Sequence, residues 1–122
     1  MNTLKNKRFA TRLGFALAGL RHAWASEQSL RTQLLAVALV IAALCVLRPA
    51  SVWWALTLLV SCAVIAAELF NTALERLADH LHPDLHPQIR IVKDCAAAAV
   101  LVISIGALLV AAALVYSLLS RA

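Results

Sequence analysis

Residues 66–100 read "AAELFNTALERLADHLHPDLHPQIRIVKDCAAAAV". The stretch closes one apolar run, crosses a polar middle and opens another. Glu68 stands at the edge of the first run, and Lys93 and Asp94 stand at the edge of the next. A carboxylate is costly to take out of water unless it is paired or bound to a cation. An ionisable residue at membrane depth therefore marks a functional site by default. Whether the flanking runs are membrane spans decides both the fold and the meaning of these residues.

Composition answers the first question. The chain has 122 residues, 63% hydrophobic and 14% charged, where a soluble domain sits near half apolar and about a quarter charged. The mean hydropathy is +0.87. This is the composition of an all-α integral membrane protein forming a single domain over residues 1–122. The formal charge is +5, but its distribution matters more than its total, and it is not read as a nucleic-acid footprint. Cys45, Cys62 and Cys95 lie in apolar runs without a CxxC pair; they read as small buried hydrophobes, not as a disulfide or metal-thiolate framework. The start, "MNTLKNKRFATRLGFALAGLRHAWAS", resembles a signal peptide, but its apolar core from Leu13 to Leu20 is at the minimal length and is followed by Arg21 and His22. A retained segment is the expectation.

Working outward, three segments qualify as spans, each needing roughly 20 mainly apolar residues. They are expected at 29–47, at 52–77 with a cytoplasmic extension, and at 94–119. "RPAS" at 48–51 breaks the first two, since Pro49 cannot continue a helix interior. Trp53 and Trp54 beside it suit a membrane–water interface. Before the first span, Phe9, Leu13, Leu17, Leu20 and Trp24 recur at spacings of three and four, with Lys5, Lys7, Arg8, Arg12 and Arg21 supplying positive charge. An amphipathic helix over 4–27 lying on an anionic membrane surface fits this pattern; a helix packed on protein is the alternative. Lys and Arg concentrate in residues 1–33 and 75–94. The positive-inside rule puts those regions in the cytoplasm, and the 48–51 turn and the C-terminus outside.

The polar middle has an order of its own. Glu68, Asn71, Thr72, Glu75 and Asp79 fall on one helical face, within roughly 100° of arc. A helix leaving the membrane explains Glu75 and Asp79 but not Glu68, because no charge occurs from Val52 to Ala67. Glu68 and Glu75 are about 10 Å apart along a helix, too far for a close carboxylate pair. Counted from Ala50, Glu27 is 23 residues back and Glu75 is 25 forward, so unbroken helices bring these two to one height, where they could share a divalent cation. Glu68 then lies about 10 Å deeper, near the headgroup boundary, within reach of a lipid hydroxyl. Lys93 is a charge partner or a phosphate contact, and Asp94 suits a helix N-terminus. These are the parts phosphoryl transfer needs. An ion-coupled transporter using Glu68 as proton carrier stays open on spacing alone. His80, His82 and His86 are interrupted by Pro83 and Pro87 and read as a solvated loop rather than a zinc site, although His86 could touch a nucleotide. No Walker A, protein-kinase glycine loop or H-R-D motif occurs.

The same residues resemble the signature of the prokaryotic diacylglycerol kinase family, small membrane kinases that include the undecaprenol kinases. "AELFNTALERLADHLH" followed by "VKDCAAAAV" is similar to E-x-x-N-[ST]-A-[IL]-E and K-D-x-[AG]-[AS]-A-[AV], and "GLRHAWASEQSLR" at 19–31 resembles the family's stretch before its first membrane helix. The resemblance covers essentially the whole chain. It implies a homotrimer of three transmembrane helices plus a surface helix, with sites shared between subunits. Under it Glu68 is similar to the catalytic base, Asn71 to an active-site asparagine, and Glu27 and Glu75 to the Mg²⁺ ligands. Arg8, Phe15, Glu27, Glu75, His86, Lys93 and Asp94 match positions on the ATP side. The implied activity is an ATP-dependent diacylglycerol kinase of the bacterial inner membrane, giving phosphatidic acid; undecaprenol is the alternative acceptor. Four departures bear on specificity. Phe15 stands where the best-known kinase of the family has a tyrosine, Gln33 replaces a glutamate, and Ser26 replaces an asparagine. "CAAAAV" also lacks a Gly-Ser pair found there.

Overall fold

A computed structural model describes residues 8–121. Four helices follow in order: α1 (Phe9–Ser26), α2 (Gln28–Leu47), α3 (Ser51–Leu81) and α4 (Pro87–Leu119). No strand occurs among the described residues. α2, α3 and α4 are each long and apolar enough to cross a membrane, so the chain is a multi-pass membrane protein. A bilayer's hydrocarbon core is about 30 Å thick, and at about 1.5 Å per residue the 20 residues of α2 match it. The 31 residues of α3 and 33 of α4 exceed it by several turns. The excess of α3 carries Glu75 and Asp79, and that of α4 carries Arg90, Lys93 and Asp94, so both protrude at the same end.

The junctions follow from local chemistry. Between α2 and α3, Arg48 adopts the left-handed conformation (φ 48°, ψ 56°) and its N–H donates to the Leu44 carbonyl at 2.9 Å. This is a C-cap conformation that glycine usually takes. Pro49 then prevents continuation, and α3 starts at Ser51. Between α3 and α4, His82 to His86 form the link. His86 caps α4 by accepting the Gln88 N–H on Nδ1 at 3.1 Å, and Pro87 takes the first helical position, where its missing N–H is no loss. The third span was expected to open at 94; its helix opens instead at Pro87, a capped start that makes Asp94 an interior residue rather than a helix-terminal one. α3 likewise continues to Leu81, past the expected end at 77.

α1 and α2 are separated by one residue, Glu27, whose backbone is extended (φ −117°, ψ 106°). Arg31 fastens this corner by donating to the exposed carbonyls of Trp24 at 2.8 Å and Ala25 at 3.4 Å. The expected surface helix over 4–27 corresponds to Phe9–Ser26; Lys5 and Lys7 lie outside the described residues. Phe9, Leu13, Leu17, Leu20 and Trp24 are all exposed, while Ala23 faces inward. The apolar face of α1 is thus uncovered within the chain, as a helix on a membrane surface requires.

α4 packs chiefly along α3, α2 packs more lightly on α3, and α1 touches both α2 and α3. The packed interior is thin. Leu30 and Leu44 are the largest fully buried side chains, joined by Val64, Ala78, Ala96 and Leu114. Most large apolar side chains point outward, which suits helices whose surroundings are as apolar as they are. Cys45, Cys62 and Cys95 are exposed on the surface of the chain, not buried as expected. So small an interior leaves few inward positions, and these cysteines fall on outward faces of their helices.

Candidate active site

One face of α3 collects the site. Its buried residues are Thr57, Val64, Glu68, Thr72 and Ala78, a single stripe at helical spacing. Glu68 is only 4% exposed. Among the described residues it makes no hydrogen bond or ion pair. One turn on, the Asn71 side chain has a fully buried Oδ1 with no partner. The sealed Asn71 oxygen carries an uncompensated desolvation cost of about 1–3 kcal/mol. Such groups are retained where something else is to be bound. Glu68 was expected near the headgroup boundary, within reach of a lipid hydroxyl; within the single chain it lies on the stripe that α3 turns toward its neighbours.

The next turn outward carries charge. Glu75 is half-buried. Arg76 beside it crosses to the α1–α2 corner, where its Nη2 lies 3.6 Å from Glu27 Oε1 and donates to the Ser26 hydroxyl. The turn bearing Glu75 and the corner bearing Glu27 are therefore at one height and adjacent. Farther out, Lys93 of α4 pairs with Asp79 of α3. The pair ties the two long helices at their protruding ends and holds the Lys93 ammonium against α3. Asp94 is engaged by Arg90 one turn earlier at 3.1 Å, an exposed pair.

Between α1 and α3 lies a cleft of about 470 Å³, bordered by Ala16, Gly19 and His22 on one side and by Leu69, Thr72 and Arg76 on the other. Its walls are almost wholly apolar except near Arg76, His22 and Thr72. It runs from the level of the buried carboxylate to the charged turn, a shape suited to an amphiphile. Phe15 stands half-exposed in a neighbouring cleft with Phe9, Arg12 and Leu13.

Of the residues singled out from the sequence, the fold brings Glu68, Asn71 and Glu75 onto one helix face, sets Glu27 beside the Glu75 turn, and stations Lys93 at Asp79. Arg8 is not brought in. It precedes α1, eight residues and about 12 Å of helix beyond Ala16 at the cleft edge. His86 is engaged in capping α4, its ring 4.9 Å from that of His82, and it lies seven residues before Lys93. Arg76 and Ser26 were missed as site residues. Arg76 is adjacent to Glu75 in the polar stripe, but nothing in its spacing shows a partner 49 residues earlier.

No group of three or more His, Cys, Asp or Glu side chains among the described residues could hold a metal ion. Glu27 and Glu75, on the α1–α2 corner and the α3 turn that Arg76 links, are of the carboxylate type that Mg²⁺ would suit, an ion that takes one or two carboxylates and otherwise water and phosphate oxygens.

Comparison with known proteins gives a consistent picture. Residues 14–115 match the family model described as prokaryotic diacylglycerol kinase. A protein named diacylglycerol kinase from Synechocystis sp. is 37% identical over 97 residues, covering 79% of this chain and 55% of that relative. The chain thus spans little more than half the length of the Synechocystis protein. Proteins of the same name from Escherichia coli K12 and Shigella flexneri are 29% identical over 116 residues, 95% of each chain.

Proposed function

The chain belongs to the prokaryotic diacylglycerol kinase family, and from that membership we propose that it is a membrane lipid kinase transferring the γ-phosphoryl group of ATP to the hydroxyl of diacylglycerol, with phosphatidic acid and ADP as products. The names of its relatives support the acceptor. The observation that carries the chemistry is Glu68, a carboxylate buried without a partner at the deep end of the charged face.

In this reading the lipid enters from the bilayer with its hydroxyl at Glu68 and its chains in apolar surroundings. Asn71 holds the hydroxyl by donating an amide N–H to its oxygen, which leaves the single hydroxyl proton facing Glu68. The lipid oxygen attacks the γ-phosphorus and the bond from phosphorus to the ADP oxygen breaks. The hydroxyl proton passes to Glu68. Glu27 and Glu75 would hold Mg²⁺, which would supply charge neutralisation for the transfer. Lys93, kept by Asp79 at the face of α3, donates to the phosphates, and Asp94 and His86 line the nucleotide side. Arg8 and Phe15 are assigned to the nucleotide of a neighbouring subunit in a homotrimer. That assignment is supported by their separation from the carboxylates of their own chain and by the large apolar surface one chain leaves uncovered. The protein is assigned to the inner membrane, with its N-terminus and the α3–α4 loop in the cytoplasm.

The test is transfer of labelled phosphate from Mg-ATP by purified protein in mixed micelles, on diacylglycerol and on undecaprenol in parallel. Glu68→Gln is expected to lower kcat by roughly 10²- to 10⁴-fold, the usual contribution of a general base, while nucleotide binding persists. Transfer to undecaprenol alone would reassign the acceptor. No transfer to either lipid from well-folded protein would overturn the kinase reading and make proton flux in liposomes the next assay.

A further inference from the structure

We propose that Arg76 is a positioning residue for the nucleotide-side carboxylates: by bridging to Ser26 and Glu27 it fastens the α1–α2 corner to α3 and aims the Glu27 carboxylate at the turn carrying Glu75. The proposal rests on the reading of Glu27 as a cation-binding carboxylate.

Three observations carry it. Glu27 is the single extended residue between two helices, so no helix on either side fixes its side chain. Its direction must come from a long-range contact, and Arg76 is the one it has among the described residues. Ser26 is a prepared acceptor. Its hydroxyl donates to the His22 carbonyl at 2.8 Å, which turns an oxygen lone pair toward the Arg76 guanidinium. Arg31 secures the same corner from the other side through the Trp24 and Ala25 carbonyls, so the backbone is held by one arginine and the carboxylate by another. Arg76 and Glu27 are 52% and 30% exposed at their side chains. An ion pair so open to water contributes little to stability; its consequence is geometric. Both contacts come from one guanidinium nitrogen, Nη2, whose two N–H groups face two acceptors. The guanidinium also offsets the charge of Glu27 before a metal-bound nucleotide arrives, and it borders the α1–α3 cleft.

The test uses the full chain in micelles without lipid acceptor. Mn²⁺ with a non-hydrolysable ATP analogue is the probe, and free Mn²⁺ is read by electron paramagnetic resonance. Arg76→Ala is expected to weaken Mn²⁺-nucleotide binding roughly fivefold. Ser26→Ala should weaken it less, and Arg76→Lys should recover part of the loss. In phosphate-transfer assays Arg76→Ala should raise KM for Mg-ATP with kcat held within about twofold, the signature of lost binding rather than lost chemistry. Unchanged or tighter Mn²⁺-nucleotide binding in Arg76→Ala would overturn the proposal, as would wild-type protein that binds no Mn²⁺-nucleotide. Should Arg76→Ala fail to fold, Ser26→Ala decides by the same readout. If wild type binds the probe and the variants weaken it, yet no lipid is phosphorylated, the positioning role stands and the kinase reading falls.

Discussion

At the scale of single residues, two buried polar atoms without partners invite opposite interpretations. Thr57 Oγ1 and Asn71 Oδ1 are both sealed and unsatisfied. Thr57 lies near the start of α3, away from the charged end, and no site residue is near it in sequence. Thr57→Val keeps the shape and removes the orphaned hydroxyl, so it should stabilise the protein by about 1 kcal/mol and leave phosphate transfer unchanged, as read by thermal unfolding in detergent beside the micelle assay. Asn71→Leu should also stabilise, by a similar amount, but should abolish transfer. A strain kept at the cost of stability is what a working site shows. Arg48 is a third such residue. It alone among the described residues combines a side chain with positive φ, which costs an L-residue about 1–2 kcal/mol. Arg48→Gly should raise stability by roughly 0.5–1 kcal/mol, measurable in the same unfolding experiment.

At the scale of elements, charge pairs decide how the helix ends relate. Asp79 and Lys93 link α3 to α4, and the Asp79 side chain is 61% exposed. Loss of the pair in Asp79→Asn should cost less than about 1 kcal/mol of stability. Its larger expected consequence is functional. Lys93, no longer held at α3, should lose affinity for nucleotide, read as a higher KM for Mg-ATP. The elements also show where a sequence is informative. Three spans are evident from apolar length alone, and the break at Arg48 to Ala50 follows from Pro49. The start of α4 is not evident, because Pro87 followed by Gln88, Ile89 and Arg90 reads equally as loop or as first turn. The His86 cap, a side-chain contact, settles it.

At the scale of the whole molecule, three spans and a charged end make a sided protein. Lys and Arg gather before α2 and around the α3–α4 loop, so the loop is expected inside and the Arg48–Ala50 turn outside. In right-side-out vesicles of a variant lacking the native cysteines, Ala50→Cys should react with a membrane-impermeant maleimide. Asp84→Cys should react only after permeabilisation. The reverse pattern would invert the topology and move the nucleotide side outside.

The sequence by itself determined the membrane class, the number of spans, the polar stripe on α3 and the family, because apolar length, helical periodicity and a long motif are properties of consecutive residues. It also brought Glu27 and Glu75 to a similar height by counting from one turn. What only the tertiary structure decided is which groups meet. Glu68 lies on the stripe that α3 turns toward its neighbours, Lys93 is held by Asp79, and Arg76 reaches Ser26 and Glu27 across 50 and 49 positions. The outward-facing cysteines belong to the same class. These outcomes depend on how helices rotate and lean on one another. Where the interior is this thin and lipid is as apolar as any helix face, hydropathy does not dictate that rotation; polar contacts between helices do.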